Sequence, residues 1–292
     1  MAVRALTLAR ARTLSRTVQS LSSRSVCPRS RSPARAPARS LSLALDLDER
    51  RRVLDAWIEA SGPDLPIIAH VGTNALPDSI ELARHAANAG VAAISAMNPT
   101  FGRSRGTDEL VDFHARIAEA GGDRPYLIYE IAAFGGVSFP ASRVAEAAST
   151  RIPTFTGMKF TSGDLLELQL LLDLGRRHDL AVFFGCDEHL LAGLTLGCRA
   201  AIGSTYGYAP TPAQAVFEAF DRGDLPAARQ AQLQMARLVA PLLRYGVLRT
   251  GKALLDRVGV PVGGPRAPES PLTIEESTEV LSEIAPLGLP GL

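Results

Sequence analysis

Between residues 67 and 205, short apolar runs alternate with segments of helical periodicity. The pattern predicts strands over 67–72, 93–98, 126–131, 156–161, 181–187 and 200–205. It predicts helices over 46–59, 78–89, 107–120, 141–149, 164–177 and 188–196. Strands apolar along their whole length, each followed by a helix, build parallel sheets covered by helices. No Gly-x-Gly-x-x-Gly or phosphate-loop sequence follows any of the runs, which favours a barrel over a nucleotide-binding sheet. The expected fold class is α/β, a TIM (β/α)8-type barrel with a C-terminal helical extension at 212–220, 225–244, 248–258 and 273–284.

A closed barrel of this type needs eight strands. Six are read here, and none precedes residue 46, so N-terminal β/α units are expected to be missing or replaced. Residues 1–45 hold nine arginines and no acid, and are expected to form a disordered basic head: a transit peptide, a plain basic tail or a gene-model artefact. Barrel units are expected over 46–210, with helices at 211–292 completing the same domain.

The whole chain carries a formal charge of +1, but without the head 22 basic side chains face 30 acidic ones, a net −8. That balance gives no electrostatic footprint for nucleic acid, and no aromatic residue is interleaved with the head's arginines. No apolar run reaches the length of a bilayer span. Three cysteines without a Cys-x-x-Cys pair, and five histidines without ligand spacing, argue for a reducing compartment and no structural zinc.

Only two of the 31 basic residues are lysines, Lys159 and Lys252. Lys159 lies inside an apolar, β-branched run. An amine there is costly unless paired or deprotonated, and desolvation lowers an ammonium pKa. A neutral amine near a carbonyl is the starting point of Schiff-base catalysis. A strand-end lysine pointing at solvent is the competing reading.

In barrels the active site gathers at the C-terminal ends of the strands. Four predicted strand ends carry polar groups: Tyr129, Lys159 with Thr161, Asp187 with Glu188, and Ser204 with Thr205. Each has a plain alternative. Tyr129 could be a strand aromatic, Asp187 and Glu188 could cap the next helix, and Ser204 could bond a loop. Delivery of an amine, a phenol, carboxylates and a hydroxyl to one rim favours a site.

These segments resemble the N-acetylneuraminate lyases, class I aldolases of the dihydrodipicolinate synthase superfamily. Gly157-Met-Lys-Phe-Thr-Ser-Gly-Asp-Leu-Leu166 resembles the Schiff-base strand, and Tyr129-Glu-Ile-Ala-Ala-Phe-Gly-Gly-Val137 resembles Tyr-x-Ile-Pro-Ala-Leu-x-Gly-Val. Phe184-Gly-Cys-Asp-Glu-His-Leu-Leu191 and Ala201-Ile-Gly-Ser-Thr-Tyr206 match Gly-x-Asp-Glu-x-Leu-Leu and Gly-Ser-Thr-Tyr. Ile68-Ala-His-Val-Gly72 and Gly263-Gly-Pro-Arg-Ala-Pro268 fit as well, and the likeness spans residues 43–270.

The resemblance implies cleavage of N-acetylneuraminate (sialic acid) to N-acetylmannosamine and pyruvate, without a metal or organic cofactor. Lys159 would form the imine, and Tyr129 would shuttle the proton of the C4 hydroxyl. Thr161, the Gly185 backbone, Asp187, Glu188 and Ser204 would hold the polyhydroxyl chain and the imine partners. It also implies a homotetramer in the cytoplasm, with the mitochondrion as the alternative if the head is a transit peptide. Synthases of the superfamily place an arginine five residues after the tyrosine for a second carboxylate. Here that position is Phe134, as apolar as the lyases' leucine.

The sequence departs from the pattern in three places. The family's Gly-Ser/Thr-Thr-Gly-Glu carboxylate loop falls on Pro37-Ala-Arg-Ser-Leu-Ser42, so neither Ser40 nor Ser42 carries over as a ligand. Ala132 replaces the proline after the tyrosine strand, and Gly135 replaces a threonine. Two further readings stay open: an aldolase for another 2-keto-3-deoxy acid, and a truncated, inactive paralogue that binds sugar acids or joins oligomers.

Overall fold

The structure, a computed structural model, describes residues 44–61, 65–102, 104–131, 133–134 and 139–292. The basic head up to residue 43, with Ser40 and Ser42, lies outside the described residues, as do Ala132 and Gly135. The chain forms two compact units. Among the described residues, the first holds Asp46–Gly185 and Leu196–Ala201, and the second holds Cys186–Thr195 and Ile202–Leu292.

In the first unit, six strands form one sheet in the order β1 to β6, with every neighbouring pair parallel. They are β1 (Ile68–His70), β2 (Ala93–Met97), β3 (Tyr126–Ile131), β4 (Phe155–Thr161), β5 (Ala181–Phe184) and β6 (Ala200–Ala201). The helices preceding and following them in this unit are α1 (Leu47–Ser61), α2 (Leu76–Asn88), α3 (Thr107–Ala120), α4 (Ala141–Arg151) and α5 (Leu165–His178), while α6 (Leu190–Leu196), between β5 and β6 in the chain, falls almost wholly in the second unit. From α1 to α5, each helix packs on the next. All five residues of β2 are buried, as the continuous apolar run requires. Tyr126, Phe183, Phe184 and Ile94 are nearly inaccessible, and each such side chain contributes about 1.5–3 kcal/mol on burial.

Three expected strands are shorter than the sequence suggests. The run 67–72 is in the sheet only over Ile68–His70. The run 181–187 leaves the sheet after Phe184 and turns into a 3-10 helix at Asp187–His189. The run 200–205 leaves it after Ala201 and turns into another at Thr205–Gly207. Both ends are polar and glycine-bearing, which apolar content alone does not reveal.

The β3–β4 ladder is irregular. Tyr126 pairs with Phe155, but Leu127 pairs with Gly157, which leaves Thr156 as an extra residue on β4. The Thr156 hydroxyl donates to the Tyr126 carbonyl at 3.3 Å. A Cβ at Gly157 would lie 1.9 Å from the Ala181 carbonyl oxygen, so only glycine fits this step.

A buried polar chain lies on the face of β3 that carries Tyr126 and Glu130. The Tyr126 hydroxyl donates to His114 Nδ1 (2.8 Å), His114 Nε2 donates to Asn98 Oδ1 (2.9 Å), and Asn98 Nδ2 donates to Glu130 Oε2 (2.6 Å). The Asn98 amide fixes this direction, because only its NH2 can donate to a carboxylate. Burial lowers the His114 pKa to about 3 and raises that of Tyr126. Burial also raises that of Glu130, against the lowering effect of the Asn98 bond. At the end of β1 the buried Arg50 of α1 donates to the carbonyls of His70 (2.9 Å) and Gly72 (3.0 Å). Burial brings its pKa down to about 10.

The second unit contains α7 (Pro210–Asp221), α8 (Leu225–Tyr245), α9 (Val247–Arg257) and α10 (Ile274–Ile284). Helix α8 packs on α7, α9, α10 and the Asp187–His189 turn. A capping box of Thr273 and Glu276 starts α10. Among the described residues, no helix is long and apolar enough to cross a membrane.

Candidate active site

Lys159 and Tyr129 are paired residues of β4 and β3 and share a face. The Lys159 Nζ sits 4.0 Å from the centroid of the Tyr129 ring. Both side chains are half-buried, so the amine is neither free in solvent nor sealed in the core. Two residues on, Thr161 points to the same face, and its Oγ1 is buried without a hydrogen-bond partner among the described residues. Gly185 closes against this pair. A Cβ there would fall 1.9 Å from Thr161 Oγ1 and 3.1 Å from Lys159 Cε. The first unit therefore brings together Tyr129, Lys159, Thr161 and Gly185.

His70 joins this cluster, and the sequence reading did not single it out. Its ring meets that of Tyr129 edge-on, with centroids 6.0 Å apart and planes at 87°. His70 Nε2 accepts from the Met97 backbone N–H at 3.1 Å, so the proton of the neutral ring is on Nδ1, which is buried without a partner among the described residues. Burial first, then the charges of Arg50 and Lys159, bring the His70 pKa down to about 3. The imidazole beside the phenol is therefore neutral. Its signal in the sequence was the position at the end of the first run.

The other lysine is differently employed. Lys252 is buried and donates to the carbonyls of Val262 (3.2 Å), Gly263 (3.2 Å) and Gly264 (2.9 Å). Three acceptors match an ammonium's three protons, which leaves no lone pair for a carbonyl. Of the two lysines, Lys159 is the one that stands beside the phenol.

In the second unit, Asp187 does not cap a helix, since α6 starts only at Leu190. Its Oδ2 accepts from the Thr205 backbone N–H (3.0 Å) and hydroxyl (2.7 Å). Tyr206 also bonds this carboxylate. Burial and then the Asp187 charge push the Tyr206 pKa well above the usual phenol value, and act likewise on Tyr208. Gly203 makes room for the acid, because a Cβ there would lie 1.8 Å from Asp187 Oδ1. Glu188 is half-buried and Ser204 exposed. Gln232 of α8 pins the turn: it donates to the carbonyls of Asp187 (3.3 Å) and Glu188 (2.8 Å) and accepts from the Leu191 N–H (2.7 Å). The roles of Thr205, Tyr206 and Gln232 were not legible in the sequence, because each depends on a contact across the fold.

The sequence profile of the "Dihydrodipicolinate synthetase family" matches residues 42–286. The chain belongs to this family. Among its relatives, the rat N-acetylneuraminate lyase is 34% identical over 257 residues, covering 86% of this chain and 80% of the rat protein. The human N-acetylneuraminate lyase is 36% identical over 230 residues, 77% of this chain and 72% of its own. Among solved structures, the N-acetylneuraminate lyase of Proteus mirabilis superposes with a TM-score of 0.80 at 31% identity, over 84% of this chain and 82% of that one. Membership of the dihydrodipicolinate synthetase family and these neighbours identify the six parallel strands as part of a TIM-type barrel.

Proposed function

We infer that this protein is a class I aldolase that cleaves N-acetylneuraminate to N-acetylmannosamine and pyruvate. The observation that carries the reading is the Lys159 amine held against the Tyr129 phenol in a chain whose relatives are N-acetylneuraminate lyases. Neutral Lys159 attacks C2 of the open-chain sugar acid, and water leaves as the imine forms. The protonated imine is an electron sink. Tyr129 takes the proton of the C4 hydroxyl as the C3–C4 bond breaks. N-acetylmannosamine leaves with a new aldehyde, and an enamine remains on Lys159. Protonation at C3 and hydrolysis release pyruvate and restore the amine. A positioned proton shuttle is worth roughly 10²–10⁴ in rate.

Thr161 offers an unpaired buried hydroxyl beside Lys159, and the Gly185 backbone lies against both. Glu188 and Ser204 are assigned to sugar hydroxyls because they fall on the family's segments. Asp187 is assigned there too, and its bonds to Thr205 make it the anchor of that group. Phe134 is exposed and leaves no cation for a second carboxylate, which favours a polyol acid over a dicarboxylate. The resemblance also carries a homotetramer and a cytoplasmic location, to be checked by sedimentation and by imaging residues 1–45 fused to a fluorescent protein.

The mismatch at residues 37–42 favours one competing reading, an inactive paralogue whose N-terminal units and carboxylate loop have been replaced. Borohydride reduction in the presence of pyruvate, followed by mass spectrometry, decides. The aldolase reading expects an adduct on Lys159, lost in Lys159→Ala, together with release of N-acetylmannosamine from sialic acid. Absence of both supports the paralogue. An adduct without sialic acid cleavage points to another 2-keto-3-deoxy acid.

A further inference from the structure

In the family segment Gly-x-Asp-Glu-x-Leu-Leu, the two free positions of this chain are a thiol and an imidazole, Cys186 and His189. The fold places them on one turn with the carboxylate of Glu188. One donor atom from each of the three residues lies within 4.8 Å of the other two. We propose that Cys186, Glu188 and His189 form a binding site for a thiophilic divalent cation of the zinc class, and that its occupancy competes with the sugar acid.

The donor set decides the metal class. A thiolate, an imidazole and a carboxylate suit Zn²⁺, whereas Ca²⁺ and Mg²⁺ select all-oxygen sites. Bond lengths of about 2.0–2.3 Å in a tetrahedron separate donors by roughly 3.5 Å. The donors lie within 4.8 Å of one another, and the half-buried Glu188 and the exposed His189 are the side chains that would have to close on the buried Cys186. Three protein ligands leave a fourth position for water.

The turn is held by hydrogen bonds within the protein. The His189 N–H donates to the Cys186 carbonyl at 3.1 Å, and Gln232 ties down the backbone of Asp187, Glu188 and Leu191. Asp187 Oδ2 is committed to Thr205, so the neighbouring acid does not compete for the cation through that atom. Histidine spacing did not reveal the set, because Cys-x-Glu-His within one 3-10 turn is not a zinc-finger pattern. The competition rests on the reading that Glu188 holds substrate. A cation would take that carboxylate away.

The test uses Co²⁺ and Zn²⁺ on the full chain. With Co²⁺ alone, the protein should show a thiolate-to-cobalt charge-transfer band that saturates at one equivalent and is displaced by Zn²⁺. The band should vanish in Cys186→Ser, which retains Cys27 and Cys198. His189→Gln, an exposed change that keeps the fold, should weaken Co²⁺ binding by more than the roughly 10–100-fold cost of losing an outer-shell partner. Zn²⁺ should raise the KM for N-acetylneuraminate and leave kcat unchanged. Both variants should abolish that rise and turn over like the wild type when metal is absent. No band in the wild type, or a band unchanged in both variants, overturns the site. A band with no sialic acid cleavage keeps the site and rejects the aldolase reading. A band with cleavage insensitive to Zn²⁺ overturns the competition.

Discussion

The Lys159 ammonium group lies 4.0 Å above the ring of Tyr129, in the geometry of a cation–π contact. The phenol thus has two separable parts: a face that seats the amine and a hydroxyl to which the proposed mechanism assigns the proton transfer. The face favours the charged amine, which opposes imine formation. The neutral His70 meets the same ring edge-on.

Tyr129→Phe separates these parts. It keeps the face and removes the hydroxyl. Borohydride trapping of pyruvate on Lys159 should persist, while kcat for sialic acid cleavage falls by about 10²–10⁴. An unchanged kcat would remove Tyr129 from the mechanism.

Gly203→Ala should be costly where another glycine is not. Its Cβ would stand 1.8 Å from Asp187 Oδ1 and drive the carboxylate off Thr205, leaving buried polar groups unpaired at about 1–3 kcal/mol. Gly106→Ala is the control, since its φ is −166° and nothing lies within 4 Å of the added carbon. Thermal melts of both variants check the difference.

Acid should weaken the fold in a defined window. His70 and His114 have folded pKa values of about 3 against an ordinary 6.5. Their contribution is fully present above pH 6.5. It is lost as the pH falls toward 3, because the unfolded chain binds the protons that the folded one refuses, at about 1.4 kcal/mol per pH unit for each histidine. Glu130 acts in the opposite sense. Its raised pKa means that stability falls as the pH rises from 4.5 through the folded value. Urea titrations from pH 4 to 7 should show a shallower slope in His114→Leu and a steeper one in Glu130→Gln.

Phe134→Arg should lower the turnover of N-acetylneuraminate relative to keto acids with a second carboxylate. Its position is exposed, so a charge there does not unfold the protein. A substrate panel with equal protein stability measures the ratio.

Local pattern was enough for the elements themselves. Thr107–Ala120 and Tyr126–Ile131 fall where the periodicity puts them, and Lys159 stands out by residue type alone. What the sequence hid is what depends on partners far along the chain. Asn98, His114, Tyr126 and Glu130 look like four unrelated polar residues until the fold brings them together over separations of 12 to 32 positions. Asp187 before an apolar helix looks like a cap. Its engagement with Thr205, 18 positions on, could not be read from spacing.

The extra Thr156 on β4 settles which neighbour the amine meets. Were the ladder straight from the pairing of Phe155 with Tyr126, Lys159 would fall opposite Glu130 rather than Tyr129, on the reverse side of the sheet. A lysine and a glutamate would then neutralise one another among the helices. The same amino acids in the same order would make a sound wall with the amine turned away from the phenol.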